Sequence, residues 1–163
     1  MAALNTTTQF EFVAISAAGT DADTVRDIFL EYGESLGFNT CFGGLDQELA
    51  TLPGDYAPPR GCLLLAKEGG DAAGCVGVRP LDGTNCEMKR LFVRPHYRHA
   101  GLGRRLVETA IAWARETGYH SICIDTLPTM RAARALYASL GFTACAPYYD
   151  NTYLGSDCFE REL

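Results

Sequence analysis

Cys86-Glu87-Met88-Lys89-Arg90-Leu91-Phe92-Val93, followed after Arg94-Pro95-His96-Tyr97 by Arg98-His99-Ala100-Gly101-Leu102-Gly103-Arg104, is the stretch whose reading decides how this chain folds. The first run has the composition of a strand, and the second is a glycine turn that opens an amphipathic helix reaching Thr117. Two glycines let the backbone turn tightly and approach a ligand closely. The helix beyond them presents unpaired amides and the positive end of its dipole. Residues 98–104 therefore read as a cradle for a pyrophosphate-like anion, with Arg98, Arg104 and Arg105 as available counter-charges.

Working outward, two further strands precede this one, Cys62 to Lys67 and Ala73 to Val78. With Glu87 to Val93 they are separated by the turn signals Glu68-Gly69-Gly70-Asp71 and Leu81-Asp82-Gly83-Thr84-Asn85, so an antiparallel meander is predicted. Upstream, Phe10 to Ile15 alternates as a first strand, and Asp21 to Leu36 reads as a helix with Val25, Ile28, Phe29, Tyr32 and Leu36 inward. Gly37 to Gly44 reads as a loop and Asp46 to Leu52 as a short helix. Pro53-Gly54-Asp55-Tyr56-Ala57-Pro58-Pro59 stops that helix and is placed to shape a substrate entrance. Downstream come a strand at Ser121 to Asp125, a helix from about Thr129 to Leu140, and a final pair near Phe142 to Tyr149 and Asp157 to Glu162. The result is a mixed α+β order without internal repeats.

A chain of 163 residues with 47% hydrophobic and 21% charged side chains is expected to form one domain over 1–163, with a sizeable core. Its formal charge of -6 argues against nonspecific nucleic-acid binding. The charge is uneven. Residues 20–60 carry eight acids and two bases, residues 86–134 nine bases and four acids, and an anionic ligand favours the second region. Seven cysteines without a Cys-x-x-Cys pair make neither a disulfide framework nor a zinc site, and reduced core thiols are expected. His96, His99 and His120 read as surface or turn residues, so no metal is expected. Met1 to Thr8 lacks a basic leader and no apolar run is long enough to span a bilayer, which points to the cytoplasm and away from membranes.

Two glycine-loop alternatives fail on their residues. A P-loop requires Lys followed by Ser or Thr where Arg104-Arg105 stand, and a dinucleotide fingerprint requires a third glycine where Leu106 stands. Val93-Arg94-Pro95-His96-Tyr97, then Arg98-x-x-Gly101-x-Gly103, then helix, strand and Ala135-Leu136-Tyr137-x-x-x-Gly141-Phe142 together resemble the GNAT superfamily of N-acetyltransferases. The resemblance is closest from about Cys86 to Phe142 and extends, as element order, over nearly the whole chain.

The resemblance implies a mostly antiparallel, twisted sheet of about seven strands with about four flanking helices. Its central strands, Glu87 to Val93 and Ser121 to Asp125, would splay around acetyl-coenzyme A. It further implies that backbone groups of Leu91, Phe92 and Val93 pair with the pantetheine arm, and that the pyrophosphate rests on Arg98, His99, Ala100, Gly101, Leu102, Gly103 and Arg104. The other partner is an amine of a small molecule or of a peptide or protein, and a homodimer is one assembly the reading admits. The alternative from another class is a module that senses acetyl-coenzyme A without turning it over.

Acetyl transfer to an amine needs a neutral amine, a donor for the carbonyl's developing charge and a proton for the thiolate. A strand-bulge amide near Leu91 is the candidate oxyanion donor. Tyr137 matches the family's general acid, and a phenol of pKa about 10 can serve a thiolate whose acid lies near about 8.5. Spacing alone favours a packed tyrosine, because Ala133, Leu136, Tyr137 and Leu140 form a helical core stripe, and it is the resemblance that implies the acid. Glu87, eleven residues before Arg98, stands at the offset of one branch's general base, although beside Lys89 it also reads as an exposed strand pair. Met130 departs from the family's asparagine seven residues before the tyrosine; Thr126 and Thr129 are the nearby substitutes.

Overall fold

A computed structural model of the chain describes residues 9–37, 44–149 and 155–163. The reading of Met1 to Thr8, and that of the loop between Gly37 and Gly44, lie outside the described residues. Seven strands form one sheet: β1 (Glu11–Ala14), β2 (Cys62–Glu68), β3 (Asp71–Pro80), β4 (Asn85–Val93), β5 (Ser121–Thr126), β6 (Thr143–Cys145) and β7 (Asp157–Glu162), in the order β1-β2-β3-β4-β5-β7-β6. Helices α1 (Thr20–Ser35), α2 (Leu45–Thr51), α3 (Leu102–Thr117) and α4 (Arg131–Ser139) flank it. The predicted meander is present as antiparallel β2, β3 and β4, with β1 antiparallel on its outer edge.

Each face of the sheet buries its own core. The face that carries Leu64, Val76, Met88 and Ile122 packs on Leu106, Val107 and Ala110 of α3 and on Tyr137 of α4. The opposite face, with Leu63, Leu65, Cys75 and Phe92, packs on Val25, Ile28 and Phe29 of α1 and Leu49 of α2. The helical spacing of those apolar residues is what turns each helix toward its face. α3 ends in a left-handed Gly118 whose amide closes onto Ala114, so a glycine terminates the helix where a side chain would be strained.

Among the described residues only β4 and β5 run parallel, and they pair over three residues, Asn85–Glu87 against Ser121–Cys123. Beyond Glu87 the two strands part, and from Met88 onward β4 has no partner on that side. On its other side β4 bulges. Cys75 opposes Phe92 and Gly77 opposes Lys89, so Arg90 and Leu91 together face the single residue Val76. The extra residue switches the alternation: Met88, Leu91 and Val93 contact the α3 side, whereas Phe92 joins Glu87 and Arg90 on the α1 side. Arg90 absorbs the irregularity with a left-handed φ of 59°.

Among the described residues no helix is long and apolar enough to cross a membrane, and no group of His, Cys, Asp or Glu is placed to hold a metal. Six cysteines, Cys62, Cys75, Cys86, Cys123, Cys145 and Cys158, are free thiols, and five of these are buried. Burial pushes Cys62 and Cys123 up to about 11 and Cys86 up to about 12, so they stay protonated as packing groups.

Candidate active site in the splay between β4 and β5

At the wide end of the splay, the chain turns from Val93 through Pro95–Tyr97 into α3. His99 and Gly101 both take left-handed backbone (φ 66° and 77°), which turns successive amides toward one side. The first helical bond of α3 runs from the Arg105 amide to the Gly101 carbonyl. The amides of Leu102, Gly103 and Arg104 thus lack an intrahelical acceptor, no side chain caps them, and no acid lies in the first turn. A Cβ built on Gly101 meets nothing within 4 Å, so open space lies over the turn. Free amides at a helix start are the kind of donor that an anion accepts from.

The arginines are partly committed elsewhere. Arg98 Nε donates to the Val93 carbonyl at 2.9 Å with its guanidinium over Phe92. Arg104 reaches across to α4, donating to Ser139 Oγ at 2.7 Å and to Glu108 at 3.5 Å. Arg105 lies over Phe12 and bonds the Phe10 carbonyl, pinning α3 to the first strand. Backbone amides rather than these side chains are therefore the free donors at this turn.

At the narrow end lies Glu87. Its pairing with Cys123 places it at the last closed rung of the parallel ladder, and it is 0% exposed, not the open strand pair that its neighbour Lys89 suggested. Arg79, directly opposite on β3, donates from Nε at 3.2 Å. The Tyr149 hydroxyl donates to Oε2, the Tyr148 hydroxyl donates to Oε1 at 3.3 Å, and Lys89 Nζ stands 3.5 Å from Oε1. Arg79 also donates to the Tyr149 hydroxyl at 3.1 Å, which orients that phenol toward the carboxylate. Burial, with the Glu87 charge added, pushes both tyrosines well above the ordinary phenol value, so each keeps its proton.

Tyr137 stands on α4 and is 6% exposed, its ring 5.7 Å from Phe142. Burial raises its phenol well above 10.0, and the Asp125 carboxylate adds to that. Asp125, on the free end of β5, lies 4.0 Å from Lys89 Nζ. Glu87, Lys89 and Asp125 thus form one chain of opposite charges at the point where β4 and β5 part.

Glu48 of α2 completes the polar group. It accepts from Arg90 Nε at 3.0 Å and Nη2 at 2.9 Å, from Tyr56 at 3.0 Å and from Arg79 at 3.5 Å. Desolvation raises its carboxyl, but the Arg90 and Arg79 cations outweigh it and hold it below the usual carboxylate range. Glu48 and Arg79 also line a cleft of about 520 Å³ whose outer wall is Pro53, Gly54, Asp55 and Tyr56, the segment expected at a substrate entrance. Glu48, Arg79, Arg90, Tyr148 and Tyr149 escaped sequence reasoning. The signals were faint: a basic residue closing an apolar strand at Arg79, and the doublet Lys89-Arg90, which breaks strand alternation as a bulge does.

Of the eight acids over residues 20–60, four are paired, Asp21 with Lys67, Asp23 with Arg26, Glu31 with Arg94 and Glu48 with Arg90, and Asp27, Glu34, Asp46 and Asp55 are exposed. His96, His99 and His120 are exposed, as expected. Thr126 is 3% exposed and bonds the Leu127 carbonyl, while Met130 stands at the N-terminus of α4 without capping it.

Residues 24–142 match the model of the Acetyltransferase (GNAT) family. An uncharacterized N-acetyltransferase of Schizosaccharomyces pombe is 43% identical over 133 residues, covering 80% of this chain and 82% of that protein. An uncharacterized N-acetyltransferase of Escherichia coli is 30% identical over 124 residues, 74% of this chain and 73% of that protein. Among solved structures, a GNAT-family acetyltransferase of Staphylococcus aureus aligns with a TM-score of 0.78 at 18% identity, over 93% of this chain and 99% of that one. A GNAT-family acetyltransferase of Elizabethkingia anophelis, solved with acetyl-CoA bound, aligns at 0.70 and 20% identity over 94% and 98%. A seven-stranded sheet parted between β4 and β5, a glycine turn feeding uncapped amides into the gap, and a family match spanning both place this chain in the GNAT acetyltransferase family.

Proposed function

We infer that the protein transfers the acetyl group of acetyl-coenzyme A to a primary amine of a small molecule, or of a peptide or protein. The observation that carries this reading is the splay itself. The parallel ladder closes at the buried carboxylate of Glu87, and the strand it leaves unpaired, β4, leads directly into the uncapped start of α3. The amides of residues 101–104 would hold the pyrophosphate, and the free edge of β4 at Leu91, Phe92 and Val93 would pair with the pantetheine amides. Open space above Gly101 fits such a group.

When bound, acetyl-coenzyme A supplies an acetyl group activated as a thioester. The bulge amide at Leu91 donates to the carbonyl oxygen as charge grows there, and costs little reorganisation because the strand already fixes it. Glu87 is the final acceptor of the amine's proton. The Tyr149 hydroxyl that donates to it takes a proton from the amine as it passes its own on. Tyr137 gives its proton to the departing thiolate. Burial raises its phenol, and the same desolvation makes a thiolate more basic, so the transfer remains matched. We read residues 1–163 as one such domain, acting in the cytoplasm, where free thiols such as Cys75 and Cys86 persist reduced.

The test is calorimetry with coenzyme A, followed by a panel of amines assayed by thiol release. Wild-type protein is expected to bind and to acetylate at least one amine. Gly101→Asp is expected to fold and to lose binding, because it places a charge at the cradle and a side chain on left-handed backbone. Tight binding without any acetylation would instead indicate a sensor, and unchanged affinity in folded Gly101→Asp would remove the cradle.

A further inference from the structure

We propose that Arg90 is a positioning residue: its two-pronged ion pair with Glu48 holds the β4 bulge in the shape that aims the Leu91 amide at the reacting carbonyl. This role rests on the acetyl-transfer reading above.

The bulge is irregular in a way that needs holding. Left-handed backbone at such a position is ordinarily supplied by glycine, and here an arginine takes φ 59°. A long side chain gains nothing from that conformation locally, so the restraint must come from outside the strand. Glu48 supplies it. Nε and Nη2 of Arg90 meet its two carboxylate oxygens at 3.0 and 2.9 Å, and the two side chains are only 12% and 11% exposed. Parallel, paired hydrogen bonds to a carboxylate fix a guanidinium in direction as well as in place.

Glu48 is itself immobilised by the Tyr56 hydroxyl and by Arg79, and the Arg90 guanidinium lies 5.9 Å from the ring centre of Tyr32. The clamp therefore spans α2, β3, β4 and α1. It also has a position that a mere surface tie would lack, since Glu48 lines the cleft beside Tyr56. An acceptor seated in that cleft would touch the same carboxylate that sets the bulge. Without the clamp, residue 90 is free to return to extended backbone, which shifts the register at Leu91 and turns its amide away.

Glycine separates positioning from simple stabilisation, because it adopts left-handed backbone unaided whereas alanine does not. The probe is acetyl-coenzyme A carrying carbon-13 at the thioester carbonyl. Its carbonyl stretch is read by infrared difference spectroscopy, and coenzyme A affinity by calorimetry. In wild-type protein the stretch is expected to fall on binding, as a polarised carbonyl does. Arg90→Ala and Glu48→Ala are expected to lose most of that fall while affinity changes by less than about threefold, since the cradle on α3 is untouched. Arg90→Gly is expected to recover most of it.

If Arg90→Ala keeps the wild-type stretch, or if folded Arg90→Gly is as impaired as Arg90→Ala, the clamp does not position the bulge. A wild-type carbonyl that does not shift on binding also overturns the proposal. Should an alanine variant fail to fold, Glu48→Gln, which keeps one prong, is expected to give an intermediate shift, and an unchanged one refutes the clamp. Failure of wild-type protein to bind coenzyme A at all is a different outcome and refutes the acetyl-transfer reading.

Discussion

Replacing Glu87 by glutamine probes whether the carboxylate at the closed end of the splay moves protons or only fills its niche. The side chain is fully buried and accepts from Arg79, Tyr148 and Tyr149. Glutamine keeps the shape and one accepting oxygen but places an NH2 group against donors. A hydrogen bond to a charged group contributes about 1.5–3 kcal/mol. Arg79 retains Glu48 and Tyr149 as partners, so its charge is not stranded and the larger penalty for breaking a buried pair does not apply. A loss of about 2 kcal/mol follows, equivalent to a melting temperature lower by roughly 4–8 °C for a domain of this size. If Glu87 also receives the amine's proton, the rate on an accepted amine falls by roughly a hundredfold and most steeply at low pH, where the amine is most fully protonated. The assay is a pH–rate profile of both proteins on an amine of known pKa, run beside urea denaturation. A stability loss with parallel profiles of equal height would refute the proton-transfer role and leave Glu87 as a buried anchor for Arg79.

Tyr137→Phe deletes only the proposed proton donor, so the maximal rate is expected to fall roughly ten- to a thousandfold with coenzyme A affinity little changed. Steady-state kinetics decide this, and wild-type turnover would return Tyr137 to a packing role. Because burial raises that phenol above 10.0, the wild-type profile should show no alkaline loss from Tyr137 ionisation up to that pH. Gly77→Ala would set a Cβ 2.6 Å from the buried Tyr56 ring, an overpacking cost of about 1–3 kcal/mol readable as an earlier urea midpoint. Asp82 accepts the Thr84 and Asn85 amides, each at 2.7 Å, and these bonds, that of Thr84 first, draw its carboxyl from 3.8 down to about 2. A lowered carboxyl contributes stability that is whole above 3.8 and lost as pH falls toward about 2, so melting curves of Asp82→Ala should decline less across that window than wild type.

Local pattern was enough to read the elements. Apolar spacing located α1 and α3 to within about one residue of their ends, and strand alternation between turn signals located β2, β3 and β4, because period and turn chemistry act over a few neighbouring residues. The same holds for the turn proposed as a cradle, whose glycines, left-handed backbone and free amides all lie within seven consecutive positions. The Glu87 site is of another kind. Arg79 comes to it from β3, Glu48 from α2 and Tyr149 from the chain after β6, and no spacing along the sequence brings them together. Their meeting depends on the antiparallel register that sets Arg79 opposite Glu87, on the Arg90–Glu48 pair that ties α2 to the bulge, and on Tyr148 and Tyr149 reaching Glu87 from beyond β6. Register and packing decide burial. Glu87 could therefore be read along the chain as an open strand residue, and only the folded sheet made it a carboxylate sealed beneath two tyrosines.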